Sequence, residues 1–276
     1  MLFFEALKEG QEKLICAHIV DAKLDAWYLL SFVTGLTRSD YILRQRDEIS
    51  DAQQKAYFDL ISRRASHIPL QHITGSQEFM GLNFCVNEHV LVPRQDTETL
   101  VEEALKVMPK QARVLDMCTG SGCIIISLMH MAAGIEGYGV DLSKEALLVA
   151  QENSKRLIDD KAVFTLSDLF DKVTGQFDCI VSNPPYIRSA DIEELEVEVK
   201  DHEPRMALDG TKDGLFFYQS ITKSAPAYLK EGGFLLYEIG YDQGEEVSNI
   251  MSENGFLDVQ IIKDLAGNDR VVKGHL

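Results

Sequence analysis

After Pro93 the chain alternates short apolar runs with stretches of helical periodicity, and that alternation restricts the fold more than any other feature. The runs are Arg113 to Leu115, Gly137 to Val140, Ala162 to Leu166, Phe177 to Val181, Gly233 to Ile239 and Val259 to Ile262. Each suits one buried strand, and the helical stretches between them can carry the chain back across a sheet. Strands joined by crossover helices make a doubly wound sheet, which binds ligands outside the carboxyl ends of its strands. The expected class is α/β.

Ahead of this region the spacing is purely helical. Phe3, Phe4, Leu7, Leu14 and Ile15, then Trp27, Leu30, Val33 and Leu36, then Tyr57, Phe58, Leu60 and Ile61 recur as they would on helices packed around one core. Residues 1–74 are expected to form a small all-α domain. From Phe79 to Val92 alternation mixes with Gly81 and Asn87, so residues 75–92 read as a β-hairpin linker and 93–276 as the second domain.

The net charge of −17 belongs almost wholly to that second part, because residues 1–74 are near neutral. Nucleic-acid binding rests largely on Lys and Arg neutralising phosphates, so direct binding of nucleic acid is not expected, whereas a basic protein partner is compatible with the charge. The five cysteines form no CxxC pair and fit reduced thiols in a cytoplasmic protein. No apolar run approaches the roughly 18 residues needed to span a membrane, and the first residues lack a basic, cleavable leader. The histidines are scattered, with no second ligand pair beside His67 and His72, so no metal is expected.

Two motifs carry chemistry. Asn183-Pro184-Pro185-Tyr186 follows the run FDCIVS, and a proline pair ends the strand there, leaving Asn183 at a carboxyl end. A carboxamide oxygen beside backbone carbonyls can accept both hydrogens of a planar NH2 group; the plainer reading is a turn that closes a strand. The second motif is VLDMCTGSGC, from Val114 to Cys123, between a strand and a helix. Cys118, Thr119, Gly120, Ser121 and Gly122 form either a cradle for a nucleotide-like ligand or a structural turn. Asp141 ends the next strand, as a partner for a ribose diol or as a helix cap. Asp168, followed by Leu169, ends the third, where a turn or cap role is also open.

Together these residues resemble the Rossmann-like methyltransferases that use S-adenosylmethionine. With PRQDTETLVEEAL from Pro93, EPRMAL from Glu203, DGLFFY from Asp213, YEIG from Tyr237 and LAGNDRVV from Leu265, the chain is similar to the HemK or PrmC family, the protein-(glutamine-N5) methyltransferases of peptide-chain release factors. The resemblance implies a Rossmann-like sheet behind a helical release-factor-docking domain. It also implies S-adenosylmethionine as cofactor, S-adenosylhomocysteine as product, and class 1 release factors as protein substrates, methylated on the glutamine of Gly-Gly-Gln. By that resemblance residues Cys118 to Gly122 hold the methionine part, Asp141 the ribose, and Asp168 with Leu169 the adenine region. Asn183 joins the cofactor and substrate sites. The Asn183 side chain and the Pro184 carbonyl take the amide hydrogens, Pro185 completes the motif, and Tyr186 flanks the glutamine. Where the family usually has glycine this chain has Cys118, so the first loop position must tolerate a side chain.

The chemistry suits these residues. A sulfonium is already an activated methyl donor, so the protein must supply an aligned nitrogen, and no strong base is needed before attack. A monomeric enzyme is expected. Two other readings compete: methylation of an exocyclic base amine, which presents a similar NH2 but requires a basic channel, and a non-catalytic adaptor that binds a translation factor. Glu98, Glu203, Arg205, Glu238 and Asn268 lie in the family-like stretches, where anchoring loops through ion pairs is the default role. Trp27 is expected in the helical core.

Overall fold

The first 75 residues fold as helices, α1 (Phe3–Cys16), α2 (Ala22–Thr34), α3 (Arg38–Arg44), α4 (Asp51–Ala65) and α5 (Leu70–Thr74), in the computed structural model, which describes residues 1–276. Local chemistry sets their ends. Thr37 and Asp40 form a reciprocal capping box at α3, Ser50 caps α4, and α2 and α5 stop at Gly35 and Gly75 in the left-handed conformation. Leu14, Trp27, Leu29, Leu30, Tyr57 and Ile61 fill the core, while Phe4 and Ile15, which share the helical spacing, are exposed. One buried cation crosses this core: Arg64 Nε donates to Asp25 at 2.7 Å.

The hairpin of β1 (Ser76–Phe79) and β2 (Leu82–Cys85) comes next and is shorter than the alternation to Val92 suggests. A 3-10 turn at Gln95–Thr97 leads into α6 (Glu98–Val107). There follow β3 (Arg113–Met117), α7 (Cys123–Met131), β4 (Glu136–Asp141), α8 (Lys144–Ile158), β5 (Val163–Leu166) and β6 (Phe177–Ser182). After the short helices α9 (Val197–His202) and α10 (Arg205–Leu208), the chain forms α11 (Phe216–Ser224), β7 (Leu229–Glu238), α12 (Gly244–Glu253), β8 (Leu257–Lys263) and β9 (Asp269–His275). The chain divides into two units, Met1–Gly75 with Glu196–His202, and Ser76–Leu195 with Glu203–Leu276. Within the first, α9 is held by Glu198, whose carboxylate pairs with Arg64 at 2.6 Å.

The seven-stranded sheet has the order β5-β4-β3-β6-β7-β9-β8. The five strands from β5 to β7 are parallel; β9 runs against both its neighbours. β9 is absent from the strands expected from the sequence, because its apolar content is little more than Val271-Val272 among polar residues. It is made a strand by pairing with β7 and β8. Both faces of the sheet are covered: Val114, Val181, Leu236 and Val271 point into one core with α6 and α7, while Leu115, Ile180, Leu235 and Val272 point into the other with α11 and α12. Two-sided burial explains why the strands read as continuous apolar runs rather than alternating ones. The strand order reverses between β3 and β6, and this switch point is where an open sheet leaves a crevice.

Candidate active site

Register decides which residues meet at that crevice. Met117 of β3 lies opposite Ser182 of β6, so Cys118 and Asn183 leave adjacent strands side by side. On one flank Met117 pairs with Val140, bringing Asp141 beside Cys118; on the other Ser182 pairs with Tyr237, bringing Glu238 beside Asn183. Ser182 Oγ donates to the Met117 carbonyl at 2.6 Å and holds the central pair together.

The loop after β3 is built for close approach. Cys118, Gly120 and Gly122 all have positive φ, at 62°, 54° and 78°. A side chain on Gly122 would press on Ile126, Ala150 and Phe164, so that glycine serves packing, whereas Gly120 faces open space and leaves its backbone accessible. Cys118 adopts the left-handed backbone that the usual glycine would take, at a cost of about 1 kcal/mol, and its half-buried side chain packs against the core on the α11 face. Asp141 fastens the loop: its carboxylate accepts the Gly120 N–H and the Ser143 N–H, each at 2.9 Å. The cap of α8 is Ser143, whose Oγ accepts the Ala146 N–H, so Asp141 is not the helix cap. Burial raises the Asp141 carboxyl above its ordinary value against these N–H bonds. Beneath the loop, Asp116 is fully buried, accepts the Thr119 hydroxyl at 2.6 Å, and is pushed by burial up to about 7.

A cavity of 430 Å³ opens over these elements. Cys118, Thr119, Gly120, Ser121, Asp141, Asn183 and Pro185 line it, so the structure brings the loop, the acid and the motif asparagine to one space. Gly122 supports the loop from behind. Pro184 is buried and off the wall, and Tyr186 packs on the α11-side core, with its phenol held in the neutral form by burial and by Glu238. Asp168 is exposed and Leu169 partly buried, and neither lines the cavity. Leu142 and Ala146 form the wall after β4 instead. The motif backbone is fixed by Gln243, which donates to the Tyr186 carbonyl at 3.1 Å, and by Ile187, which exchanges backbone bonds with Leu208 and Gly210.

Other wall residues come from distant segments: Arg94 and Thr97 before α6, Ser189 after the motif, Met206 on α10, Asp209 at its end, and Phe217 on α11. Arg94 bonds Glu203 at 2.8 Å, and Ser189 Oγ donates to Asp209 at 2.5 Å. The family-like stretches around Pro93, Glu203 and Asp213 contain most of these residues and were the only signal for them. Of the loop anchors considered there, Glu98 accepts the Met80 N–H at 2.7 Å, Arg205 pairs with Glu193 and Asp209, and the Asn268 backbone bonds Asp264.

Both parts of the chain have known relatives. Residues 5–75 match the PrmC N-terminal domain, and residues 95–199 match the methyltransferase small domain. A release factor glutamine methyltransferase from Geobacter sulfurreducens is 44% identical over 259 residues, which is 94% of this chain and 91% of that protein. The chain belongs to the release factor glutamine methyltransferase family. A second member of that family, from Clostridium botulinum, is 41% identical and is covered over 99% of its length by 100% of this chain. Among solved structures, a methyltransferase from Pyrococcus furiosus superposes with a TM-score of 0.54 at 16% identity, over 71% of this chain and 89% of that one, and shares the fold.

Proposed function

We propose that this protein transfers a methyl group from S-adenosylmethionine to the side-chain amide nitrogen of the glutamine in the Gly-Gly-Gln motif of class 1 peptide chain release factors. One observation carries the reading: the Asn183 side chain lines the same cavity as the Cys118–Ser121 loop and Asp141. Family membership supplies the chemical context.

The cavity residues fit the methyl donor. Gly120 has open space where a Cβ would stand, so the backbone can approach a ligand. Asp141 holds backbone N–H groups with both oxygens and keeps lone-pair capacity for a ribose diol. Leu142, Ala146 and Ile124 offer an apolar wall to a base. Bound S-adenosylmethionine supplies a methyl group on a sulfonium, an electrophile that needs no further activation. The Asp141 carboxyl on the cavity wall favours a cationic donor over its neutral product.

The chain's own task is to present nitrogen. Asn183 Oδ1 accepts a hydrogen of the glutamine NH2 and sits where positive charge develops as the nitrogen is alkylated. The second acceptor is assigned to the Pro184 backbone carbonyl, its ring lying buried off the cavity wall, and Pro185 and Tyr186 hold the motif against the sheet. Asp168 and Leu169, which follow β5 and do not line the cavity, stay outside this assignment. Residues 1–74 are assigned to docking the release factor, and the acidic catalytic unit to attracting its basic tip. No helix is long and apolar enough to cross a membrane, and the proposed substrate places the work in the cytoplasm.

The test is methyl transfer to an intact release factor and to the same factor with its Gly-Gly-Gln glutamine replaced by alanine. Incorporation into the first and none into the second is expected; equal incorporation into both, or into neither, refutes the assignment.

A further inference from the structure

An amide has two unlike ends, and only one of them can serve here. The reacting glutamine nitrogen brings N–H donors, so Asn183 must turn its oxygen to the cavity and its own NH2 inward; turned over, it would set donor against donor. Something behind Asn183 must choose. Register puts Glu238 there, at the end of β7 beside Asn183. Glu238 is 2% exposed, and its Oε2 has no hydrogen-bond partner, in a family-like stretch whose acids otherwise anchor loops. Thr97, also 2% exposed, meets both: Asn183 Nδ2 faces Thr97 Oγ1 at 3.5 Å, and the side chains of both Thr97 and Asn183 act on the Glu238 carboxyl, that of Thr97 more strongly.

We propose that Glu238 is a positioning residue for methyl transfer, which through Thr97 fixes the Asn183 amide with its oxygen toward the substrate. An ionised carboxylate only accepts, so it takes the Thr97 hydroxyl proton; the Thr97 oxygen is then left to accept from Asn183 Nδ2. Every bond in the chain points one way. Protonating Glu238 turns the carboxyl into a donor, frees the Thr97 proton to face Asn183 Oδ1, and removes the preference. The inference rests on the role of Asn183 proposed above.

Burial pushes the Glu238 carboxyl up to about 7, so the switch in polarity falls near neutral pH. The charged and titratable groups facing it are Arg270 of β9, which opposes the shift, Asp96 of the turn before α6, which adds to it, the neutral phenols of Tyr186 and of Tyr218 on α11, and the Cys123 thiol of α7. The sign is fixed by the raised value. The ionised form predominates above about 7, so turnover falls as pH drops through that point.

The experiment uses the full chain, labelled with 15N, and follows the side-chain NH2 signals of Asn183 with pH, beside steady-state methylation of a release factor. In the wild type these signals should titrate near neutral pH, in step with an acid limb in kcat. Glu238→Gln should abolish the titration, lower kcat by about tenfold or more, flatten the acid limb, and leave KM for the methyl donor within about twofold. Thr97→Ser should keep the titration and Thr97→Val should lose it, which serves equally if Glu238→Gln does not fold. Asn183 signals that do not titrate, or Glu238→Gln with wild-type kcat and acid limb, overturn the proposal. A wild type whose Asn183 signals titrate but which does not methylate glutamine supports the coupling to Glu238 and refutes the substrate assignment.

Discussion

At the scale of single residues, the site separates groups that touch ligand from groups that hold the backbone. Asn183 lines the cavity, and behind it its side chain meets only Thr97, at 3.5 Å, and the Glu238 carboxyl. Asn183→Ala should therefore lower methyl transfer by about 100-fold or more while the fold persists, the size seen when a single donor or acceptor aimed at developing charge is lost. Asp141 differs, because it also ties Gly120 to Ser143. Asp141→Ala should weaken methyl-donor binding by tenfold or more, a cost of about 1.5 kcal/mol or above for a charged acceptor. Calorimetry with the donor, set beside turnover, separates the two, and equal donor affinities in both variants would contradict the division. Cys118 tests backbone strain. At φ 62° a β-branched side chain is an outlier, so Cys118→Val should destabilise by about 2 kcal/mol, while Cys118→Gly stays within about 1 kcal/mol of wild type. Denaturant unfolding of the pair measures the difference, and a Val variant as stable as the Gly variant would remove the strain argument.

At the scale of elements, one buried side chain joins three of them. Asn153 of α8 accepts the Cys85 N–H at 2.7 Å and donates to the carbonyls of Cys85 and Ser121, each at 3.0 Å, so the hairpin end, the helix and the loop after β3 share a single amide. All three bonds are lost in Asn153→Ala, and a part-buried N–H and two carbonyls lose their partner. A destabilisation of about 3 kcal/mol or more in urea unfolding is expected, since each orphaned group costs about 1–3 kcal/mol. A loss below 1 kcal/mol would mean that water replaces the amide. The strand ends supply a second element-level effect, because Asp116 on β3 and Glu238 on β7 are both raised to about 7 from ordinary carboxylate values. Between those values the folded chain holds protons that the unfolded chain releases, so this stabilisation is complete below the ordinary range and is lost as pH rises through about 7. The melting temperature should fall between pH 5 and pH 8, and less steeply in Glu238→Gln. An identical slope in that variant would show that Glu238 does not titrate in this window.

At the scale of the whole molecule, charge is uneven along the chain. Of the −17 net charge, residues 1–74 carry nearly none, and the catalytic part carries the rest. A release-factor tip that enters ribosomal RNA is expected to be basic, so association with the intact factor should slow as salt rises toward a Debye length of about 8 Å. A short Gly-Gly-Gln peptide without basic residues should show little change. Comparing kcat/KM for the two substrates across ionic strength checks this, and parallel salt curves would argue that the acidic unit steers nothing.

What the sequence by itself determined is whatever depends on neighbours along the chain. The apolar runs gave the parallel strands because both faces of this sheet are buried, and the proline pair ended β6 at Asn183 because proline cannot extend a strand. Thr37 with Asp40, and Gly35, set helix ends through bonds made within a few residues. Only the tertiary structure decided the rest. β9 exists through its partners, with no strong apolar run of its own. The far wall of the cavity, from Arg94 to Phe217, is assembled from segments more than a hundred residues apart. Asp141 passed from candidate helix cap to loop clamp once Ser143 took the cap. Asp168 and Leu169 follow β5, at the sheet's outer edge, away from the switch point. Glu238 reads as an ordinary acid at a strand end until register sets it beside Asn183, and register is a property of the paired strands that neither strand's sequence contains.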